Sequence, residues 1–473
     1  MNIKKYKKYA ITVLLYLIIS IAFFLIGGNQ LKYVNRELKQ LETVGVFPEI
    51  IKDTKIEQHF SPQMDQITSI KILIATCARE NQGNLFLNII DSTTGVVVAE
   101  DKVDVSSLKD NAEFEWKFDN PLKVEKEKEY ILSISTDGQP GNAITLYYGP
   151  ENLGHFSALT VNGESFPADL YIMVTGITYS IFGLHYWFWV LLFGIAIITY
   201  LIWSDHNAKK GKITRGLLVI IIWKKYKFLI QQLVSRDFKI KYKRSVLGYC
   251  WSFLNPLLTM VVQYIVFSTI FRSGVDNYPV YLLSGIILFG FFTDAVGQGL
   301  MSIVSNASLI TKVYVPKYIY PISKVASSSI NLFISFIPLL LVVLLTGQKV
   351  TIAILLIPFV LICLLVFCMG MTLMLSSAMV FFRDTQYLWG IVSMIWMYAT
   401  PLFYPESIIP DKFRIIQTMN PMYYMVKFLR IILIDGVSPE PMLYFKCIVG
   451  AFITCFIGAL IFKRSQNKFV LYI

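Results

Sequence analysis

The strongest constraint on this chain is a series of about eight long apolar segments. A helix needs about 20 mostly apolar residues to cross the hydrocarbon core of a bilayer. Segments near or above that length cover residues 10–26, 181–203, 249–271, 279–304, 325–345, 352–380, 387–403 and 442–462. With 55% hydrophobic and only 16% charged residues, the composition is that of an integral membrane protein. The sequence therefore predicts a membrane α-helical bundle of about eight spans.

The charged residues are segregated, and this predicts the topology. Residues 31–178 carry 22 of the 31 acidic but only 13 of the 43 basic residues, so their net charge is −9 and that of the remainder is +21. Basic residues close to spans stay in the cytoplasm, and they cluster at residues 4–8, 209–215 and 463–468. We therefore expect cytoplasmic N- and C-termini and an extracytoplasmic segment 31–178. The first apolar segment lacks a small-x-small cleavage site and is interpreted as a retained anchor.

The external segment has the pattern of a β domain. Hydrophobic and polar residues alternate along residues 114–118, and short β-rich runs recur between residues 70 and 174 with turn signals at 137–141 and 162–163. Short strands at this spacing predict an antiparallel sandwich of the jelly-roll type. Its aromatic residues are either platforms for a glycan or, as alternation favours, core residues. The candidates are Trp116, Tyr147, Tyr148 and Tyr171.

A basic stretch dotted with aromatic residues precedes the later spans. Residues 236–256 read RDFKIKYKRSVLGYCWSFLNP. In an interfacial helix the cations lie among lipid phosphates while the rings enter the headgroup boundary. The alternative is a flank that only obeys the positive-inside rule, and charge alone favours that alternative.

Three further motifs follow this stretch in a fixed order. They are LITKVYVPKYIYPIS at 309–323, FFRD at 381–384, and TPLFYP at 400–405 leading to NPMYYMVKFLR at 420–430. In this order and spacing the four motifs resemble the membrane subunit of ABC-2-type polysaccharide exporters, the O-antigen and teichoic-acid permeases. The resemblance covers about residue 216 to the C-terminus. The preceding anchor and β domain lie outside the usual permease pattern.

The resemblance implies roles for particular residues. An interfacial gate helix would admit the lipid-linked end of a glycan, with cations on its pyrophosphate, through Arg236, Asp237, Lys241, Tyr242, Lys243, Arg244, Gly248 and Trp251. A helix that docks on a separate ATPase would include Lys312, Val313, Tyr314, Val315, Pro316, Lys317 and Tyr318. Asn306 is the candidate N-cap of that docking helix. An ordinary basic loop is the alternative there.

Aromatic residues in the spans suit a sugar polymer, because rings present flat apolar faces to sugar C–H groups without fixing hydrogen bonds. The channel candidates are Tyr264, Phe267, Phe271, Trp396, Tyr398 and Phe403, each with lipid-facing packing as the alternative. Arg383 and Asp384 are expected to be structural and to pair with other elements, such as the Arg236–Asp237 region. Asn420 and Pro421 are expected to start an amphipathic helix.

Several classes of chemistry find no support in the sequence. No Gly-x-x-x-x-Gly-Lys-Ser/Thr loop occurs, so we expect no ATP hydrolysis by this chain. The four histidines are scattered and the six cysteines form no CxxC pair, so neither a metal site nor a cofactor is expected. No Asp-x-Asp pair points to a metal-dependent glycosyltransferase. The resemblance instead implies ATP and Mg²⁺ on a partner ATPase subunit.

These features predict five regions. They are an N-terminal membrane anchor (1–30), an extracytoplasmic β sandwich (31–178), a second anchor span (179–204), a cytoplasmic linker with the gate helix (205–248) and a six-span permease domain (249–473). The resemblance implies the permease subunit of an ATP-driven exporter of a lipid-linked cell-surface polysaccharide in the bacterial cytoplasmic membrane. The implied partners are an ATPase subunit, a second copy of the chain, the lipid-linked glycan and membrane lipids, and no nucleic acid. An ABC-2 drug or lipid exporter, or a non-transport sensor or scaffold, stays open as an alternative.

Overall fold

The chain forms two compact units. The computed structural model describes residues 3–151, 155–210, 214–242, 247–248, 250–268, 277–312, 315–409 and 411–472. One unit is a helical bundle formed by Met1–Leu31 together with Tyr186–Ile473. The other unit is Lys32–His185, which contains all the β-strands.

The helices have the following bounds in chain order. They are α1 (Ile3–Gly27), α2 (Ile181–Leu184), α3 (Tyr186–Lys209), α4 (Arg215–Tyr242), α5 (Cys250–Ser268), α6 (Tyr278–Leu300), α7 (Ala307–Lys312), α8 (Ile319–Leu345), α9 (Ile357–Phe381), α10 (Thr385–Ala399), α11 (Arg414–Thr418), α12 (Pro421–Arg430), α13 (Pro441–Ser465) and α14 (Phe469–Tyr472). A 3-10 turn, Ile352–Leu356, precedes α9.

Seven helical stretches in the described residues are long and apolar enough to cross a membrane. They are Tyr9–Gly27, Tyr186–Lys209, Cys250–Ser268, Tyr278–Leu300, Ile319–Leu345, Ile352–Phe381 and Pro441–Tyr472. The predicted membrane helical bundle is therefore confirmed, with one helix of spanning length fewer than expected.

The predicted span at residues 387–403 is wrong in its helical extent. Helix α10 has only 15 residues and ends at Ala399, which is shorter than the about 20 residues that a spanning helix needs. Thr400 is extended, with φ −103° and ψ 127°, because the residue before a proline disfavours the α conformation. The segment still runs antiparallel to α6. Near its start, the ring centroids of Trp389 and Phe292, which lies late in α6, are 5.6 Å apart. Near its end, the hydroxyl of Tyr278, the first residue of α6, donates to the Phe403 carbonyl at 2.6 Å.

The core of the bundle is centred on α6 and α9, whose apolar side chains are mostly buried. Helices α9 and α13 approach closely at two glycines, because a Cβ on Gly458 would lie 2.1 Å from the Gly370 carbonyl oxygen. Small residues allow such close contacts between membrane helices. In contrast, α1 and α3 expose most of their large apolar side chains, as a surface against lipid tails requires.

A second apolar cluster joins α4 to the ends of the bundle helices. Ile230 and Leu233 of α4 pack with Tyr320 of α8 and Phe462 of α13. Helix α4 begins at Arg215, about 20 residues before the predicted gate helix. Four of the predicted gate residues, Arg236, Asp237, Lys241 and Tyr242, therefore occupy the C-terminal part of a longer helix, which the basic motif alone did not reveal.

The β unit contains 13 strands in its described residues. They are β1 (Tyr33–Gln40), β2 (Gly45–Val46), β3 (Lys55–Phe60), β4 (Gln66–Ala75), β5 (Asn84–Asp91), β6 (Val97–Asp104), β7 (Ala112–Lys123), β8 (Tyr130–Thr136), β9 (Thr145–Gly149), β10 (Phe156–Val161), β11 (Glu164–Phe166), β12 (Asp169–Leu170) and β13 (Ile172–Tyr179).

The strands form two antiparallel sheets, which confirms the predicted β sandwich. The first sheet has the order β1-β13-β4-β9-β12, with β2 on β9 and β7 on β4, and the second has the order β11-β10-β3-β8-β5-β6. Their inward side chains form one apolar core. Registers such as Ile70 opposite Val174 place buried residues of neighbouring strands together.

The aromatic candidates of this unit divide between core and surface. Trp116 is only 5% exposed and belongs to the core, which is the alternative that the alternating pattern favoured. Tyr148 packs against Phe47, with 4.9 Å between ring centroids. The Tyr171 hydroxyl donates to Glu113 at 2.7 Å. Partial burial and this acidic neighbour raise the pKa of Tyr171 to about 12.

Candidate functional site

The C-terminal part of α4 is held to the bundle by charged side chains. Lys324 Nζ of α8 lies 2.8 Å from Asp237 Oδ2, and both side chains are largely buried. Arg236 Nη2 donates to the other carboxylate oxygen of Asp237 at 3.0 Å and to Asn306 Oδ1 at 3.3 Å. These contacts tie α4 to α8 and to the turn that precedes α7.

The expected pairing of the FFRD motif with this region is wrong. Arg383 and Asp384 are exposed, and neither side chain forms an ion pair or hydrogen bond within the described ranges. The carboxylate of Asp237 is instead taken by its own neighbour Arg236 and by Lys324. Sequence spacing argued against an adjacent Arg–Asp contact, but a long guanidinium side chain can fold back onto the next carboxylate.

A second polar network lies one turn further along α4. Lys241 Nζ lies 3.4 Å from both carboxylate oxygens of Asp294 on α6. Gln298 donates to the same carboxylate at 2.8 Å, and the Ser328 hydroxyl of α8 donates to it at 2.9 Å. An acidic side chain within a spanning helix is costly unless it is paired, and here three partners satisfy it.

A cavity of about 500 Å³ opens beside this network, between α5, α6 and α8. We call it the polar groove. Its lining combines apolar side chains of α5, α6 and α8 with the charged pair Lys241 and Asp294, the Trp251 side chain, and amide or hydroxyl side chains. The polar members on α5 and α8 are Ser252, Asn255, Thr259, Ser328, Asn331 and Ser335. A cavity of this size lies within the about 300–1,000 Å³ that is typical of small-molecule sites.

The remaining gate residues surround the start of α5. Helix α4 ends at Tyr242, while Lys243 and Arg244 lie outside the described residues. Gly248 has φ +49°, a left-handed conformation that glycine adopts without steric cost. Trp251 follows in the first turn of α5, is 45% exposed and lines the polar groove.

The predicted docking segment is only partly described. Helix α7 ends at Lys312, which is exposed, whereas Val313 and Tyr314 lie outside the described residues. Val315 and Tyr318 pack against the cluster beside α4. Lys317 donates to the Gln466 carbonyl at 2.6 Å, and desolvation lowers the pKa of its ammonium. Lys317 is thus engaged within the chain, and the backbone turn around Pro316 leads into α8.

Asn306 does not act as the predicted N-cap. It lies within the 3-10 turn Val304–Asn306, and its amide donates to the Ser302 carbonyl at 2.8 Å. The Asn306 side chain also accepts from Arg236, so it is engaged on the preceding turn and on α4 and serves as a buried link between them.

The channel candidates occupy contrasting environments. Phe403 is buried and stacks on Phe267, with 5.8 Å between ring centroids. Trp396 packs against Phe292, with 5.1 Å between ring centroids. Tyr264 and Tyr398 are 40% and 61% exposed. Phe271 lies outside the described residues.

Comparison with known proteins identifies the family of this chain. A sequence model of the family described as ABC-2 type transporter matches residues 228–434. An O-antigen export system permease protein RfbA from Klebsiella pneumoniae is 30% identical over 243 residues, which is 51% of this chain and 93% of that protein. The chain belongs to the ABC-2 type transporter family. The RfbA permease from Myxococcus xanthus is also 30% identical, over 249 residues, or 52% of this chain and 95% of that protein.

The family match confirms the resemblance drawn from the four motifs. The region that matches the family runs from α4 to the segment after α12 and does not include the β unit. ABC-2 permeases are membrane subunits and are not themselves ATPases. This chain is therefore the permease part of a transporter and a multi-pass membrane protein.

The most deeply buried cation among the described residues of this ABC-2 permease was not among the site residues predicted from the sequence. Arg430, at the end of α12, is 6% exposed. It donates to the carbonyl oxygens of Pro401 at 2.7 Å and Leu402 at 3.0 Å. Its guanidinium also lies 3.3 Å from the centre of the Tyr281 ring. The prolines of the TPLFYP segment could have indicated this role. They keep the segment extended, so its backbone carbonyls have no helical partners and need other donors.

The predicted start of the amphipathic helix matches the structure. Helix α12 begins at Pro421, and the Asn420 side chain accepts the Met422 N–H at 3.0 Å. The same amide group also accepts from the Trp396 indole at 2.8 Å and donates to Thr400 at 2.8 Å. Asn420 therefore caps α12 and fastens it to the end of α10.

Proposed function

We propose that this ABC-2 permease is the membrane subunit of an ATP-driven exporter of a lipid-linked cell-surface polysaccharide. The carrying observation is its similarity to permeases named for O-antigen export over 93–95% of their length. A match restricted to a short motif would support the bundle alone. A match over nearly the whole of those relatives supports the same class of cargo.

Energy for export comes from a separate subunit in this proposal. No phosphate-binding loop occurs in this sequence, so ATP and Mg²⁺ bind to a partner ATPase. Two copies of the permease with two ATPase subunits form the transporter. The docking surface is α7 with the residues that follow it, because α7 exposes Leu309 and Lys312 while Ile310 anchors it in the cluster beside α4.

The proposed location is the bacterial cytoplasmic membrane. The charge segregation supports cytoplasmic termini and an extracytoplasmic β unit. In this orientation the end of α4 and the docking segment share the cytoplasmic side. The lipid-linked substrate is made on that side in this proposal and leaves on the side of the β unit.

The pyrophosphate of the carrier is proposed to bind near the end of α4. Lys241 is already neutralised by Asp294, so phosphate recognition rests on Lys243 and Arg244. An arginine can bind two phosphate oxygens with its planar fork, which a lysine cannot. These residues follow directly on the described end of α4.

Depletion of the permease in its host tests the cargo. The proposal predicts that the surface glycan disappears, while its lipid-linked form accumulates inside the cell and is removed by periodate only after permeabilisation. Restored expression should reverse both changes. Normal surface glycan in depleted cells, with altered efflux of drugs or lipids, would favour the alternative ABC-2 exporter classes.

A further inference from the structure

The polar groove has the chemistry of a sugar site. We propose that it binds a sugar ring of the exported glycan and recognises hydroxyl groups in preference to phosphate. This inference rests on the proposed function, since it assigns the site at which that cargo is held. It concerns the space between α5, α6 and α8 and the described side chains that face it.

One face of α5 supplies an aromatic ring and free polar groups. Trp251, Asn255 and Thr259 follow one another at intervals of four residues, which places them on the same side of a helix, and all three line the groove. Within the described part of the chain, no hydrogen bond engages the Asn255 or Thr259 side chain. An amide and a hydroxyl offer both donors and acceptors, which matches the hydroxyl groups of a sugar.

The facing wall on α8 is held to α5 by hydrogen bonds. The Ser252 hydroxyl donates to Asn331 Oδ1 at 3.1 Å, and the Ser335 hydroxyl donates to the Ser252 carbonyl at 3.0 Å. Ser335 and Ser252 are largely buried. Polar groups fixed by neighbours lose little conformational freedom when a ligand binds. This wall is therefore preorganised.

The charge of the groove argues against phosphate. Lys241 and Asp294 are the charged side chains among its described lining residues, and they form an ion pair. A phosphate placed there would lie close to the Asp294 carboxylate, and Lys241 is already paired with that carboxylate. A buried anion needs a cation of its own, and the groove offers none among its described lining residues. A neutral ligand with many hydroxyl groups meets no such repulsion and can stack on the half-exposed Trp251 ring.

Gly290 makes the groove testable without disturbing its walls. It lies on α6, is exposed and lines the groove, and a Cβ at this position would have no atom within 4 Å. A phenylalanine there would occupy the space proposed for the sugar. Gly390 on α10 is a matched control, because it is also helical and exposed with no atom near its Cβ position, and it does not line the groove.

The experiment uses the full chain in phospholipid nanodiscs. The probes are three photoreactive alkyl glycosides, a β-glucoside, a β-galactoside and an N-acetyl-β-glucosaminide, and an alkyl phosphate with the same chain and photoreactive group. We expect at least one glycoside to label peptides of α5 or α6 at the groove, several-fold more strongly than the phosphate. We expect Gly290→Phe to reduce this labelling at least tenfold and Gly390→Phe to leave it unchanged.

The outcomes separate this inference from the proposed function. Groove labelling by no glycoside, equal labelling by the phosphate, or equal labelling of Gly290→Phe and wild type would overturn the sugar site. Thermal unfolding of both variants in the same nanodiscs identifies any loss of fold. Glycan export by the wild-type transporter is measured separately, so export without groove labelling would reject the sugar site and leave the proposed function standing.

Discussion

Lys324 Nζ lies 2.8 Å from Asp237 Oδ2 and so joins α8 to α4. Lys324 follows the docking segment within the first two turns of α8, and Asp237 precedes the end of α4 by about one and a half turns. The ion pair therefore connects the segment proposed to contact the ATPase with the helix proposed to meet the substrate. Removal of one partner from a buried pair leaves an uncompensated charge.

We expect Asp237→Asn to destabilise the bundle by on the order of 2 kcal/mol and to reduce export, because Lys324 loses its partner in a site with little solvent. The measurements are thermal unfolding in nanodiscs and surface glycan in cells. Asp384→Asn is the control, since its exposed side chain forms no ion pair among the described residues. Equal unfolding temperatures of Asp237→Asn and wild type would show that the pair is not structural.

Arg430→Lys should weaken the attachment of α12 to the extended segment after α10. Lysine keeps the charge but loses the fork that reaches the Pro401 and Leu402 carbonyls together. The loss of at least one hydrogen bond from a charged donor predicts a destabilisation of about 1.5–3 kcal/mol. Thermal unfolding checks this value against Arg383→Lys, an exposed control. No difference between the two variants would contradict the role of Arg430.

Leu309→Asp should weaken binding of the ATPase without unfolding the permease. Leu309 is 39% exposed on α7, so the new charge stays solvated in the free chain but would be buried at a partner surface. Co-purification of the ATPase measures the effect, and we expect at least a tenfold loss. Val44→Asp, at an exposed position of the β unit, should retain the ATPase. If Leu309→Asp also retains it, α7 is an ordinary cytoplasmic loop element.

Cys77 provides a direct test of topology, because it is an exposed free thiol of the β unit. An impermeant maleimide should label the wild-type chain in intact cells and fail to label Cys77→Ser. A cysteine introduced at Lys210 into a variant that lacks both Cys77 and the other exposed cysteine, Cys250, should react only after permeabilisation. Labelling at position 210 in intact cells, together with protection of Cys77, would reverse the proposed orientation.

Much of the fold could be predicted from the sequence because buried side chains recur in regular patterns along the chain. Apolar runs of bilayer length gave the spanning helices, and alternation gave the strands of the β unit. The start of α12 could be predicted because Asn420 and Pro421 act locally. The shortened α10 was also encoded locally, by the proline at position 401, but the apolar run concealed it.

Contacts between distant segments could not be predicted in the same way. Nothing in the basic stretch 236–244 indicates that Lys241 forms an ion pair with Asp294, or that Asp237 forms one with Lys324. The choice of partner depends on how α4, α6 and α8 pack. Arg430 looked like the end of an amphipathic helix, yet tertiary packing places it among backbone carbonyls. The polar groove likewise needs three helices at once.

Reconstituted transport tests the central claim most directly. The permease and its co-purified ATPase would be placed in liposomes with the ATPase outward, and the host's lipid-linked glycan would be added to the outer leaflet. The proposed function predicts that Mg-ATP makes the glycan inaccessible to an external glycosidase, whereas an ATPase variant that cannot hydrolyse ATP leaves it accessible. Persistent glycosidase access with the active ATPase, at normal ATP hydrolysis, would contradict glycan export by this chain.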